Sequence, residues 1–284
     1  MKVPIIKKVK GDGININLNV WEGRGKTILC LHGITANSRC WDVLASVLEP
    51  EYNVIAMDLR GRGQSDKPPS GYSMKHHIQD INCLLDDLGL DRVVLMGHSL
   101  GAFITTVFGA KFPDRVEKII LVDGGGDLSE EQMNKVFEGI RPALERLGQI
   151  YPSADEYLNI MKQAPYIQPW TSEIETYYQY EIEKTEGGVK TNIDPAHIEE
   201  ESANVRQLKV TEFYPQIKCE VLVLRATEGL VNPDDILLPE DVIEKMIREI
   251  PKAEVVTVAG ANHYSIIFQP FAERDRAILE FLGS

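Results

Sequence analysis

Leu95-Met96-Gly97-His98-Ser99-Leu100-Gly101 reads as a buried strand that runs abruptly into a helix, with a serine at the corner. Upstream, Arg92 to Met96 is a short apolar run containing two adjacent valines, the pattern of a strand covered on both faces. Downstream, Ala102, Phe103, Ile104, Val107 and Ala110 continue as a helix that Pro113 closes. Glycines two before and two after the serine suit a turn so tight that a Cβ at either place would meet neighbouring backbone. The G-x-S-x-G spacing exposes the serine hydroxyl, holds it near a helix N-terminus and leaves the Leu100 amide free to donate to a developing oxyanion. Glycine-flanked serines also occur in ordinary turns, so it is the strand before and the helix after that give the motif its weight.

Working outward, the flanking sequence repeats the same buried-strand pattern. Thr27 to Leu31 ends in His32-Gly33-Ile34, Asn53 to Met57 ends at Asp58, and Lys118 to Val122 ends in Asp123-Gly124-Gly125-Gly126. Helices are expected between them, from about Arg39 to Leu48 and after Ser73, where Ile78, Ile81, Leu84, Leu85 and Leu88 fall at helical spacing. Strands separated by helices imply an α/β protein with a mostly parallel sheet. Val3 to Val9 and Ile14 to Val20 flank Gly11-Asp12-Gly13 as an N-terminal hairpin. From Asp127 to about Gln216 the strand pattern stops, and this tyrosine-rich, proline-punctuated segment reads as a mostly helical insertion. Sheet pattern resumes at Glu220 to Arg225, followed by a helix near Pro239 to Ile250, a strand at Glu254 to Val258 and a last helix from Pro270 to Leu282. The expected division is a core of residues 1–126 and 217–284 with a cap of residues 127–216.

The formal charge of −13 argues against nucleic acid or an anionic membrane surface as partner. The N-terminal residues lack a signal-peptide core and no stretch approaches a membrane span, which points to the cytoplasm. Cys30, Cys40, Cys83 and Cys219 are scattered without metal-ligand spacing, so reduced, mostly buried thiols are expected rather than disulfides or a zinc site. The glycine-rich loop from Leu59 to Pro69 has no G-K-[ST] and opens no helix, so it is no phosphate loop. Within it, Arg60 and Asp66 are expected to pair locally, and His76 and His77 on the next helix to face solvent. No metal or organic cofactor is implied, and oligomeric state is not encoded in any pattern.

A serine hydroxyl is a poor nucleophile at neutral pH and needs a base within hydrogen-bond reach, itself oriented by a carboxylate. His263 is the leading base, in the loop Gly260-Ala261-Asn262-His263-Tyr264 after a predicted strand. At this point the chain resembles the α/β-hydrolases of the lidded carboxylesterase, epoxide-hydrolase and haloperoxidase group. The resemblance rests on Leu31-His32-Gly33-Ile34, Asp58-Leu59-Arg60-Gly61-Arg62-Gly63-Gln64-Ser65-Asp66, Gly97-His98-Ser99-Leu100-Gly101 and Gly260-Ala261-Asn262-His263, in that order. It implies the α/β-hydrolase fold with a helical cap over the site, and the backbone amides of Ile34 and Leu100 as oxyanion donors. Ser99 stands where similar epoxide hydrolases carry aspartate, and serine suits acyl transfer.

The acid departs from the family pattern, because Arg225-Ala226-Thr227-Glu228-Gly229-Leu230 has no aspartate where most relatives place one. Asp123, after the preceding strand, is favoured; Glu228 is next, then Asp234 or Asp235. The expected activity is hydrolysis of a small-molecule carboxylic ester, thioester or lactone through an acyl-enzyme on Ser99. A cofactor-free haloperoxidase or perhydrolase, or a carbon-carbon bond hydrolase, is the alternative on the same triad. A non-catalytic ligand receptor on this scaffold is the alternative from another class. Trp41, the tyrosines of the insertion and Trp170 are open to either pocket lining or core packing.

Overall fold

The computed structural model describes residues 3–230 and 232–283. Strand β1 (Ile5–Lys10) forms an antiparallel hairpin with β2 (Asn15–Trp21), and β2 runs antiparallel to β4 (Asn53–Met57). From β4 onward the sheet is parallel, through β3 (Thr27–Leu31), β5 (Val93–His98), β6 (Val116–Val122), β10 (Glu220–Ala226) and β11 (Ala253–Val258). The spatial order is β1-β2-β4-β3-β5-β6-β10-β11.

The continuous apolar runs are explained by burial on both faces. Leu29, Ile55, Leu95, Leu121 and Val223 join one core layer with Ile81 and Leu84 of α2 (Met74–Asp87), Ile104 and Phe108 of α3 (Leu100–Lys111) and Met246 of α9 (Glu240–Glu249). Their neighbours Ile28, Val54, Met96, Ile120 and Leu222 join the other, with Leu44 and Leu48 of α1 (Asp42–Leu48) and Ile278 and Phe281 of α11 (Ala272–Gly283). Alternation of side chains along each strand sends successive residues to opposite layers. Trp41 is fully buried in the second layer, a core residue.

Between β6 and β10 lies the insertion: α4 (Glu130–Gly139), α5 (Arg141–Glu145), α6 (Ala154–Met161), α7 (Ser172–Tyr180) and α8 (Pro195–Arg206). Ser129, Ser153, Thr171 and Asp194 each accept from a backbone amide of the following first turn, so four of these helices start on side-chain caps. The insertion also holds a small sheet of β7 (Ile150–Tyr151), β8 (Ile182–Thr185) and β9 (Gly188–Thr191), so it is less purely helical than its composition suggests. Among the described residues no helix is long and apolar enough to cross a membrane.

Two expectations about the loop after β4 are corrected. Arg60 pairs with Asp80 of α2 at 2.7 Å, not with Asp66, which instead accepts from the Asn15 amide at 2.8 Å. Nor does His77 face solvent; it is buried and bonded to Glu201 of α8, which also receives Arg62. The cause is the cap, which covers this loop and supplies a charge that the local sequence does not contain. Glu200 reinforces the joint by accepting from the amides of Gly71 and Tyr72 at 3.0 and 2.9 Å. Removing one member of a buried ion pair leaves the other charge uncompensated, so Glu201→Ala is expected to cost about 3–5 kcal/mol in urea unfolding. The triple change Arg62→Met, His77→Leu, Glu201→Met should recover most of that loss. A single variant as stable as the wild type would refute the role of Glu201 in holding cap to core.

Candidate active site

The parallel register brings the ends of four strands to one edge: His98 pairs with Val122, Val122 with Leu224, and Ala226 with Val258. Ser99 therefore follows β5, and Asp123 follows β6, at one sheet edge, while His263 comes from the loop after β11. Ser99 and Asp123 have φ of 55° and 44°, the positive-φ residues other than glycine among the described residues. Such backbone costs of order 1–3 kcal/mol and persists only where the surroundings enforce it. At the serine the enforcement is legible: a Cβ on Gly97 would lie 2.2 Å from the Gly101 carbonyl oxygen, and one on Gly101 2.0 Å from that of Leu31.

His263 Nδ1 lies 2.7 Å from Asp123 Oδ2, with both side chains buried. A carboxylate only accepts, so the imidazole carries its proton on Nδ1 and keeps a lone pair on Nε2. Asp123 is fixed in turn by the Ala226 amide, which donates to its Oδ1 at 3.1 Å. Ser99 Oγ and His263 Nε2 are not hydrogen-bonded here; both border one cavity, and such contacts commonly close only when substrate is bound. His98, which the sequence marks only as a variable position of its motif, lies against His263 with ring centroids 4.4 Å apart and planes tilted by 30°. It donates from Nε2 to the His263 carbonyl at 2.9 Å, and burial pushes its pKa well below the ordinary imidazole value, so it stays neutral.

The other acid candidates point elsewhere. Glu228 is exposed. Asp234 is exposed and pairs with Lys135 at 3.1 Å, whereas buried Asp235 accepts from the amides of Leu230 and Asn232.

Three consecutive carbonyls shape the loop after β3. The His32 ring donates from Nδ1 to the Gly33 carbonyl at 2.7 Å while its Nε2 accepts from the Leu59 amide at 3.0 Å; burial lowers its pKa to about 4 and keeps it neutral. Arg62 donates to the Ile34 carbonyl at 3.1 Å and Arg146 to the Thr35 carbonyl at 3.0 Å. In a trans peptide the N–H opposes the C=O, so a Gly33 carbonyl held by His32 directs the Ile34 N–H the other way. Among the described residues neither the Ile34 nor the Leu100 amide donates to a protein acceptor. Leu100 is the first residue of α3, where an amide without an intrahelical partner and the positive end of the helix dipole coincide. Each of the two arginines is neutralised by a cap glutamate, Arg62 by Glu201 and Arg146 by Glu181 at 3.0 Å.

Two small cavities border Ser99 and share a wall of Ile34, Val136, Ile140 and Leu237. One contains His98, His263, Tyr177, Tyr264 and Phe268; the other contains Leu100, Phe103, Met133, Phe137 and Val205. Of the insertion's aromatic residues, Tyr177 thus reaches a cavity, whereas Trp170 stacks on Tyr178 at 5.5 Å and borders neither.

Residues 26–160 match the family described as alpha/beta hydrolase fold. A 2-(acetamidomethylene)succinate hydrolase of Mesorhizobium japonicum is 31% identical over 260 residues, covering 88% of this chain and 86% of that protein. A serine hydrolase-like protein of Danio rerio is 25% identical over 265 residues, covering 86% and 78%. The crystal structure of E-2-(acetamidomethylene)succinate hydrolase superposes with a TM-score of 0.87 at 26% identity, over 99% of this chain and all of that one.

Proposed function

The chain belongs to the alpha/beta-hydrolase fold superfamily, and from that premise we propose that it is a serine hydrolase cleaving a small carboxylic ester or related acyl bond, with Ser99, His263 and Asp123 as its triad. What supports this reading is one juxtaposition: a serine on a strained turn, two unengaged amides beside it, and a histidine in the same cavity whose Nδ1 is held by a buried carboxylate.

In the proposed cycle Ser99 Oγ attacks the substrate carbonyl carbon and its proton passes to His263 Nε2. The carbonyl oxygen becomes an oxyanion that accepts from the Ile34 and Leu100 amides. Collapse breaks the bond to the leaving group, which takes the proton from His263 Nε2–H, and an acyl-Ser99 ester remains. Water, deprotonated by the same Nε2, then repeats the attack and releases the acid. Asp123 stays ionised throughout and stabilises the imidazolium that forms twice per turnover. We take residues 127–216 as the cap and residues 1–126 with 217–284 as the catalytic core, and place the protein in the cytoplasm acting on a small molecule.

Treatment with a fluorophosphonate tests the nucleophile. The expected result is one phosphonyl mass per chain, mapped to the peptide containing Ser99, with loss of p-nitrophenyl butyrate hydrolysis in proportion to labelling. A chain that takes no label, or takes it elsewhere, ends the proposal.

A further inference from the structure

The two cavities differ in a way that assigns the two halves of a substrate. His263 must hand its proton to the departing oxygen, so the leaving group belongs in the cavity that His263 borders. The acyl group then lies in the other cavity, against Leu100, Phe103, Met133, Val136, Phe137 and Val205. Among the described residues, no lysine, arginine, aspartate or glutamate lines either one. The nearest buried cation of the cap, Arg146, is already committed to Glu181, Ala143 and Thr35. A carboxylate on the acyl chain would be stripped of water with no partner to receive it.

One residue of the acyl cavity also borders the surface. Phe137 of α4, half-buried, forms part of its wall and part of the wall of a separate surface groove between α5 and α8, bordered by Leu144, Leu147 and Ile198. On its outer side the Arg206 guanidinium lies 4.1 Å from the ring centroid and is held there by Asn134 at 3.0 Å. One aromatic ring therefore stands between the interior cavity and the outer groove.

We infer that the substrate is an uncharged ester or thioester of an apolar acid of short to medium chain, and that Phe137 sets the limit on chain length by closing the acyl cavity. The inference rests on the acyl-enzyme reading above. Its test is kcat/KM for p-nitrophenyl acetate, butyrate, octanoate and dodecanoate and for mono-p-nitrophenyl succinate, on the wild type, Phe137→Ala and the milder Phe137→Leu, with fluorophosphonate labelling of each. Butyrate and succinate half-ester match in carbon number and differ by a carboxylate, so about a hundredfold preference for butyrate is expected. In the wild type, dodecanoate should fall about tenfold below the best ester, and Phe137→Ala should raise the dodecanoate-to-butyrate ratio about tenfold.

A succinate half-ester turned over as well as butyrate overturns the substrate class. An unchanged chain-length profile in both variants, each still taking the label, overturns the role of Phe137. A protein that neither labels nor hydrolyses any ester overturns the serine-hydrolase reading itself, and this inference with it.

Discussion

Replacing Ser99 with alanine is expected to lower kcat for p-nitrophenyl butyrate about a millionfold, the order of loss seen when a serine nucleophile is removed from a triad. Asp123 is engaged at both oxygens, and burial keeps the Cys40 thiol, which borders the same cavity, in its protonated, poorly nucleophilic form. The residual rate would come from the Ile34 and Leu100 amides polarising the carbonyl toward water, which alanine does not disturb. Stability should change by less than about 0.5 kcal/mol, because among the described residues Ser99 Oγ joins no hydrogen bond and alanine adopts a φ of 55° about as well as serine does. Rate and unfolding together separate a catalytic loss from a misfolded protein. A folded alanine variant retaining a hundredth of the wild-type kcat would sink the covalent mechanism.

Much of the fold was legible because its signals are local. Each central strand holds a continuous apolar run, and two-sided burial is the physical reason. The glycines at 97 and 101 announced a turn whose clearances, 2.2 and 2.0 Å from backbone oxygens, leave room for hydrogen alone. Hidden from the sequence were features in which distant segments share a charge. Nothing near His77 predicts Glu201, 124 residues away, so an amphipathic helix suggested exposure where the cap provides burial. Arg60 was misassigned for the same reason: a nearby aspartate in sequence lost to Asp80, which lies in the protein interior where an arginine must be paired. The hairpin within the insertion had a signal that composition masked. Ile182 to Thr185 and Gly188 to Thr191 flank the two-residue turn Glu186-Gly187, with Gly187 at a φ of 87°.

The acid was the least legible part of the site because four carboxylates follow the same stretch of sheet edge and sequence spacing says nothing of direction. Burial and partners separate them. Asp123 lies in contact with His263, Glu228 faces solvent, Asp234 is paired at the surface and Asp235 caps its own loop. The two loop amides that Asp235 accepts fix its carboxylate in its own loop, whereas the Ala226 amide holds Asp123 with its second oxygen on His263. The same reasoning applies to Arg62, which stood in the motif after β4 with no role attached, and to Arg146, which stood in none. They fix the carbonyls of Ile34 and Thr35, and nothing in the sequence around either arginine marks that role.

Asp123→Asn is the second large effect, and it separates orientation from mere occupancy. Asparagine keeps the shape of the side chain, tolerates a φ of 44°, and can still accept from the Ala226 amide. What it loses is the obligation to accept from His263. Its amide can donate to Nδ1 instead, which moves the imidazole proton to Nε2 and leaves no lone pair facing Ser99. The charge that would stabilise the imidazolium disappears in the same step. A loss of about ten-thousandfold in kcat is expected, with a smaller change in KM, since neither effect alters binding of the neutral ester. Glu228→Gln should stay within about twofold of the wild type, as expected for an exposed side chain that bonds to none of Ser99, His263 and Asp123. Asp235→Asn should act on stability, because two loop amides lose a charged acceptor. Were Glu228→Gln the variant that lost four orders of magnitude while Asp123→Asn remained active, the acid would have to reach His263 through a rearrangement of the loop after β10, and the Asp123 assignment would be wrong.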